Sequence, residues 1–266
     1  MVLMQGKAQN LTPLDKLKRA QEKQQLSEEY VEFPQAQLDK MYDYFWLDQK
    51  SQDYMKSRGF DEDTLHHFRI GYSIKKDLIT VPMHSPDGVP VGIIGRRPSA
   101  TDKVFKNSIR LPTSRALWNF HRAKRQGDTL IICEASFDAM RIHQAGYPNV
   151  VALLMGHCSQ AHFDLISRSF SRIIIMTDFD KKKFWDNCRK CSHEGLNLCR
   201  GHNPGRDLGR KIVAGLPGKQ IFWASYENTI VYPHGAKDAG DLTDVEIRQC
   251  IKNAVPNIEY SRWGLD

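Results

Sequence analysis

LIICE at residues 130–134 and IIIMTDFD at residues 173–180 are the two stretches on which the fold turns. Each is a short apolar run rich in β-branched side chains, the pattern of a strand buried on both faces in a parallel sheet flanked by helices. Each ends on acid: Glu134 after the first, Asp178 and Asp180 after the second. Between them, residues 135–145 carry a helical pattern stopped by Gly146 and Pro148, residues 150–154 form a third apolar run before Gly156, and residues 159–170 carry a second helical pattern. The order is β-α-β-α-β. Ligands of open α/β sheets sit beyond the carboxyl ends of the strands, and side chains two apart in an extended segment point the same way. Asp178 and Asp180 therefore face Glu134 if the two strands are neighbours. A cluster of hard oxygens suits magnesium, or manganese in its place, which shares its shell with water and substrate phosphates. Capping of helices and turns is the competing reading for any one of these acids, and Asp138, in the first turn of the next helix, suits that role too.

Downstream, residues 181–207 read KKKFWDNCRKCSHEGLNLCRGHNPGRD. Cys188, Cys191, Cys199 and His202 stand as Cys-x2-Cys-x7-Cys-x2-His, with His193 in reserve. Two close pairs of soft ligands are what a tetrahedral zinc site requires. Disulfides are the rival, and they suit poorly a chain whose other cysteines, Cys133, Cys158 and Cys250, are scattered. Four protein ligands close the shell, so a structural Zn2+ that staples a long polar loop is expected. Further on, the pattern predicts a helix over 205–216, a fourth strand over 219–224 and a helix over 244–253 capped by Thr243. Between the last two lies Lys237-Asp238-Ala239-Gly240-Asp241. Asp238 and Asp241 either add a second metal, shape the cleft, or form a plain turn. A Walker-type phosphate loop is absent.

Upstream, residues 1–35 are a polar arm, helical or disordered. Over 36–68 the apolar spacing predicts short helices packed by one face, one of them ended by Gly59, with the aromatics in the core. Residues 78–83 and 89–94 read as a hairpin turned at Ser85-Pro86-Asp87-Gly88. Residues 96–125 then hold nine Lys or Arg (Arg96, Arg97, Lys103, Lys106, Arg110, Arg115, Arg122, Lys124, Arg125) against the single acid Asp102. Their net charge exceeds the +7 of the whole chain, so the rest is close to neutral. A solvated face is one reading. Phe105, Asn107 and Trp118 interleaved among the cations, just before the acid cluster, favour contact with phosphates, which is salt-dependent and blind to base sequence.

Two compact domains fit within 266 residues, and 41% hydrophobic content fits a globular protein. No apolar run approaches the roughly 20 residues of a membrane span. The N-terminus lacks the apolar core of a secretory signal, so a cytoplasmic chain is expected. A pI near 9.0 favours a polyanionic partner.

The run from Glu134 and Asp138 through the strand before Gly156 to Asp178-Phe179-Asp180 resembles the Toprim domain of bacterial-type (DnaG-like) primases, topoisomerases and some nucleases. Toprim proteins usually have Gly after the glutamate, where this chain has Ala135. YMKSRGFDEDTLHHFRIGY (54–72), LITVPMHSPDGVPVGIIGRR (78–97) and RALWNFHRA (115–123) are similar, in order, to segments of the primase catalytic core. Lys237 to Asp241 resembles that family's Lys-Asp-x-x-Asp step. The resemblance implies a basic N-terminal subdomain cradling template against a Toprim subdomain, with the active site in the cleft between. It puts Arg96 or Arg97 at the arginine after the hairpin and Asn107 at the asparagine of a Lys-Tyr-x-Asn-Ser motif. Val104 stands where that motif has its lysine, which leaves Lys103 and Lys106 as candidates.

The expected architecture is α/β, α+β overall. A mostly parallel Toprim-type sheet flanked by helices (128–256, with a zinc-binding insert at 181–205) follows a smaller basic α+β subdomain (36–127) and precedes a short exposed tail (257–266). The expected function is a DNA primase making short RNA primers on single-stranded DNA from ribonucleoside triphosphates. Glu134, Asp178 and Asp180 would hold magnesium with Asp138 in support. Asp238 and Asp241 would be candidates for a second ion, and Arg96, Arg97, Lys103, Lys106, Asn107, Arg110 and Lys237 would lie on nucleic acid or nucleotide. A replicative helicase in a separate chain and a viral or mobile-element source complete the expectation. A Toprim nuclease, in which the same acids activate water, and a non-catalytic nucleic-acid-binding protein are the alternatives.

Overall fold

The structure, a computed structural model, describes residues 30–99, 105–193, 198–227 and 229–262. Lys103 and most of the N-terminal arm lie outside these residues, as does the side chain of His193. By its internal contacts the chain divides into Met1–Val31 and Glu32–Asp266, and the second unit holds all that follows.

Helices α1 (Gln35–Leu47), α2 (Gln49–Ser57) and α3 (Glu62–His67) are the short helices expected over 36–68. Asp48 and Asp61 cap α2 and α3, accepting from Ser51 N and Thr64 N at 2.8 Å each, which satisfies N–H groups the helix leaves open. Gly59, at φ +80°, follows the end of α2 in the left-handed conformation that suits glycine. Phe45, Phe60 and Phe68 are buried, so these aromatics are core. Strands β1 (Gly71–Ser73), β2 (Leu78–His84), β3 (Pro90–Arg96) and β4 (Phe105–Asn107) form an antiparallel sheet in that order. The expected hairpin is β2–β3, and Gly88 N closes its turn on Ser85 O at 3.0 Å.

Trp118 joins this sheet to the next. Its Nε1 donates to Pro82 O of β2 at 3.0 Å, and its backbone bridges Ala152. At 2% exposure it is a core strut, which corrects its reading as an aromatic interleaved for phosphate contact. The indole finds its one hydrogen-bond partner inside, so nothing holds it at the surface.

After α4 (Phe120–Ala123) the chain builds β5 (Thr129–Cys133), α5 (Ser136–Gln144), β6 (Val150–Ala152), α6 (Gln160–Ser169), β7 (Arg172–Ile175), α7 (Arg189–His193), α8 (Pro204–Gly215), β8 (Gln220–Trp223), α9 (Asp244–Lys252), β9 (Val255–Pro256) and α10 (Asn257–Arg262). The strands lie in the order β6-β5-β7-β8-β9, parallel except for the edge strand β9. Leu130, Ile132, Ile173 and Ile175 are fully buried, packed with Leu208, Ile212 and Trp223, which explains why β5 and β7 are apolar after their first residues. The α/β architecture is as expected, and β5 neighbours β7, with Ile132 opposite Ile175. The tail differs. Tyr260 of α10 is 5% exposed and stacks on Trp223 with ring centroids 4.1 Å apart, so an aromatic face anchors a segment expected to be exposed. Among the described residues no helix is long and apolar enough to cross a membrane.

Candidate functional site

Glu134 and Asp178 leave the carboxyl ends of neighbouring parallel strands, and the pairing brings them into contact. Asp178 N donates to Glu134 Oε1 at 3.0 Å. Helix α8 closes over the same point: a Cβ on Gly205 would stand 2.0 Å from Asp178 O and 2.9 Å from Glu134 Oε1. Only glycine fits there. Asp138, in the first turn of α5, accepts from Ala135 N and Gly240 N at 3.2 Å each and so ties the Glu134 loop to the segment before α9. Ala135 itself is extended, at φ −113° and ψ 156°, a conformation open to any residue, so its methyl replaces the usual glycine without strain. The Lys237 ammonium lies 3.5 Å from Asp178 Oδ2 and 3.1 Å from Asp238 Oδ2. Lys237 O accepts from Phe179 N at 2.5 Å, and Asp241 Oδ2 accepts from Lys237 N at 3.3 Å.

The electrostatics of this group are those of a site short of positive charge. Burial, then the Glu134 and Asp238 charges, push the Asp178 carboxyl up to about 7 against the pull of Lys237. Burial also raises Glu134 and drives Asp138 well above the usual carboxylate range, the latter with the charges of Asp238 and Asp178 added. Burial would lower Lys237, but its hydrogen bond to Asp238 and the surrounding carboxylates outweigh it and raise the ammonium. Asp238 Oδ1 is buried and accepts from no donor. Hard oxygen donors crowded at low dielectric, with one acceptor left over and an ammonium standing in their midst, fit a divalent cation. They remain open: no set of three carboxylate oxygens among the described residues is drawn within 4.8 Å of one another.

Two arginines near this group escaped the residue-by-residue reading. Arg58 Nη2, Asp138 Oδ1 and Asp238 Oδ1 each lie 3.1 Å from the point where a Cβ on Gly240 would stand, so Arg58 of the first helical region reaches the acid cluster. Its signal was present in the Tyr54 to Gly59 segment that resembles the primase pattern. Arg141 is buried and holds α5 in place, donating to Gly59 O and Leu242 O and pairing with Asp244 at 2.7 Å. The basic residues lie on the other sheet. Arg96 Nε donates to Tyr54 OH at 2.7 Å and its guanidinium sits 5.2 Å from the Phe137 ring of α5. Arg97 is partly buried, whereas Lys106, Asn107 and Arg110 are exposed on and after β4. Arg122 is packed over Phe68, with Nη2 3.4 Å from His67 O.

The Cys/His insert is different in kind. Cys188, Cys191, Cys199 and His202 have ligand atoms all within 4.8 Å of one another, as four ligands of one tetrahedral ion must. His202 Nε2 lies 3.2 Å from Cys188 Sγ and 3.3 Å from Cys191 Sγ. Its other nitrogen, Nδ1, is 3.6 Å from Asp207 Oδ2, a carboxylate placed to orient the ring. Reciprocal backbone hydrogen bonds between Lys183 and His202, 2.7 and 2.8 Å, close the base of the insert. The donor set fits zinc in a closed site.

Comparison with known proteins agrees with this geometry. Residues 128–182 match the Toprim domain family. The DNA primase of Mycoplasma pneumoniae is 28% identical over 137 residues, 49% of this chain and 21% of that protein. The DNA primase of Campylobacter jejuni is 31% identical over 110 residues, 39% of this chain and 18% of that protein. The chain thus matches only about a fifth of the length of these relatives. Among solved structures, the zinc-binding and RNA polymerase domains of Aquifex aeolicus primase superpose with a TM-score of 0.63 at 20% identity, covering 86% of this chain and 63% of that one. A DnaG primase catalytic domain bound to single-stranded DNA gives 0.59 at 16% identity, covering 89% and 81%. The chain is DnaG-like: a Toprim domain carried within the fold of a DnaG-type primase catalytic core.

Proposed function

We propose that this chain is the catalytic core of a DNA primase, joining ribonucleotides on single-stranded DNA into short primers for DNA replication in the cytoplasm. The observation that carries the reading is the meeting of Glu134 and Asp178 at the ends of β5 and β7, within a Toprim match and beside a basic antiparallel sheet. Glu134, Asp178 and Asp180 would hold magnesium, or manganese in its place. That ion, when bound, supplies the charge that lowers the pKa of a primer 3′-hydroxyl and steadies a pyrophosphate leaving group.

The chain's own residues do the rest. Asp138 acts as a positioning residue, because both its oxygens are spent on backbone N–H groups of the loops around Glu134 and Gly240. Asp238, with one oxygen free of donors, and Asp241 are ligands for a second ion. Lys237 pulls against protonation of Asp178 until substrate phosphate takes over its ammonium. Arg96, Arg97, Lys103, Lys106, Asn107 and Arg110 of the basic subdomain at 36–127 take template and triphosphate oxygens, and Arg58 guards the acid side of the cleft. Residues 128–256 form the Toprim subdomain, with structural zinc in the 181–205 insert. A helicase in a separate chain is the natural partner of such a core.

Purified protein, single-stranded DNA of mixed sequence, labelled ribonucleotides and magnesium form the test, beside Asp178→Ala. Short RNA that disappears in the variant is the expected result. Cut strands without RNA would identify a Toprim nuclease and overturn the reading.

A further inference from the structure

A cavity of about 340 Å³ opens beside Asp180, on the side facing the Cys/His insert. Its volume lies at the lower end of the range of about 300–1,000 Å³ typical of small-molecule pockets. Phe179, Ile230 and Tyr260 give it apolar and aromatic walls, while Lys182, Arg206 and Arg210 give it cations. Arg206 is the anomaly. It is 2% exposed, and among its side-chain donors only Nη2 has a hydrogen-bond partner, Ile230 O at 2.9 Å. Nε and Nη1 are buried without one.

The rings of Phe179, Trp223 and Tyr232 surround this guanidinium at 5.0, 5.5 and 5.8 Å. Ring faces attract the cation, but guanidinium N–H groups point outward in its own plane and call for oxygen acceptors. The nearest carboxylate along α8, Asp207, is committed to Arg210 at 2.8 Å and to His202. A buried, always-charged group with donors left open is stable only when an anion or ordered water meets it. Together, an anion-seeking floor and aromatic walls select a planar ring joined to a separate anionic group.

We propose that this cavity, which adjoins the carboxylate cluster at Asp180, is a binding site for a nucleoside phosphate that fills without magnesium. The phosphate meets Arg206, with Lys182 and Arg210 at its rim, and the base lies against Phe179 and Tyr260. The ligand is either a free nucleotide or a nucleotide unit of a strand. The inference goes beyond the primase reading and stands without it.

Isothermal titration calorimetry on the zinc-loaded full chain tests this, in magnesium-free buffer without chelator, since a chelator would strip the insert that forms one wall. The probes are AMP, adenosine and an oligothymidylate pentamer lacking terminal phosphates. AMP or the pentamer binds and adenosine does not; which of the two binds identifies the source. Arg206→Gln weakens that binding at least tenfold. Val231→Trp fills the cavity mouth from a residue that is 45% exposed, and it does the same with the thermal midpoint and zinc content of the wild type. Asp178→Ala leaves binding intact. No binding of either phosphate-bearing probe, equal binding by both cavity variants, or binding abolished by Asp178→Ala would each overturn the proposal.

Discussion

The acid cluster and the Cys/His insert are two ligand sets a few residues apart, built in opposite ways. The acids rise from the ends of buried strands: Glu134 follows β5, Asp178 follows β7, and the sheet would hold both in place with no ion at all. The insert has no such frame. Among its described residues, order rests on the Lys183–His202 bridge, the five-residue α7, the Trp185 ring against His202, the Asn203 hydrogen bond to Asp180 O and four side chains meeting at one point. A scaffold that forces like charges together gives up stability to gain reactivity, whereas ligands gathered by a metal gain stability from it. The first set is therefore open and electrostatically strained, and the second closed.

Breaking the insert is expected to have the largest effect. Cys191→Ser should abolish stoichiometric zinc, measured by metal analysis, and expose residues 181–203 to proteolysis. The free energy at stake is bounded by the about 10–16 kcal/mol that structural zinc contributes in isolated zinc-binding peptides. A variant that keeps its zinc and its protection would erase the distinction drawn between the two sites. At the acid site the sign reverses. Asp178→Ala should reduce primer synthesis by about a thousandfold or more, equivalent to about 4 kcal/mol of transition-state stabilisation. Asp178→Asn should nonetheless raise the thermal midpoint in magnesium-free buffer at pH 8, by relieving repulsion among the buried carboxylates. A lower midpoint would mean that the site is not strained.

Smaller effects sharpen the comparison. Gly205→Ala inserts a methyl group against Asp178 O and Glu134 Oε1 and should cost about 1–3 kcal/mol in urea denaturation, the usual range for overpacking, along with activity. An unchanged denaturation midpoint would show that α8 does not clamp the acids. The smallest effect lies in the basic half, where buried titratable groups are kept neutral instead of metal-bound. The His84 and His121 rings lie 4.5 Å apart. Burial, then the charges of His84, Arg122, Arg125 and Lys124, lower His121 to about 3. Its ordinary value is 6.5, so as the pH falls below that point the unfolded chain takes up a proton that the folded protein refuses. Folded stability is thereby lost on acidification from about pH 6.5 toward 3. His121→Phe should gain on the wild type at pH 5.5 relative to pH 8; a difference independent of pH would mean that His121 titrates normally.

Much of the sheet was legible because β5 and β7 must be apolar on both faces, and the acids were legible because they stop those runs abruptly. The zinc ligands were legible from spacing alone, since a short turn presents two ligands to one ion. What could not be read was set by packing between distant segments. The family-like segment around Arg58 marks the residue but not its approach to Gly240, and Arg206 sits on a helix where a charged residue ordinarily faces water. Trp118 was read with its basic neighbours, yet the hydrogen bond to Pro82 O draws it into the core. Tyr260 was read with a short exposed tail, yet the flat face of Trp223 captures it. In each case a side chain's partner lay more than twenty residues away, beyond any periodicity.

Anomalous diffraction from crystals grown with zinc and soaked in manganese tests most directly that one chain carries an open hard-cation site beside a closed soft one. A manganese peak bounded by Glu134, Asp178 and Asp180, with a separate zinc peak inside Cys188, Cys191, Cys199 and His202, is the expected result. Zinc in its place but no manganese at the acids, even with nucleotide and template present, would contradict the account.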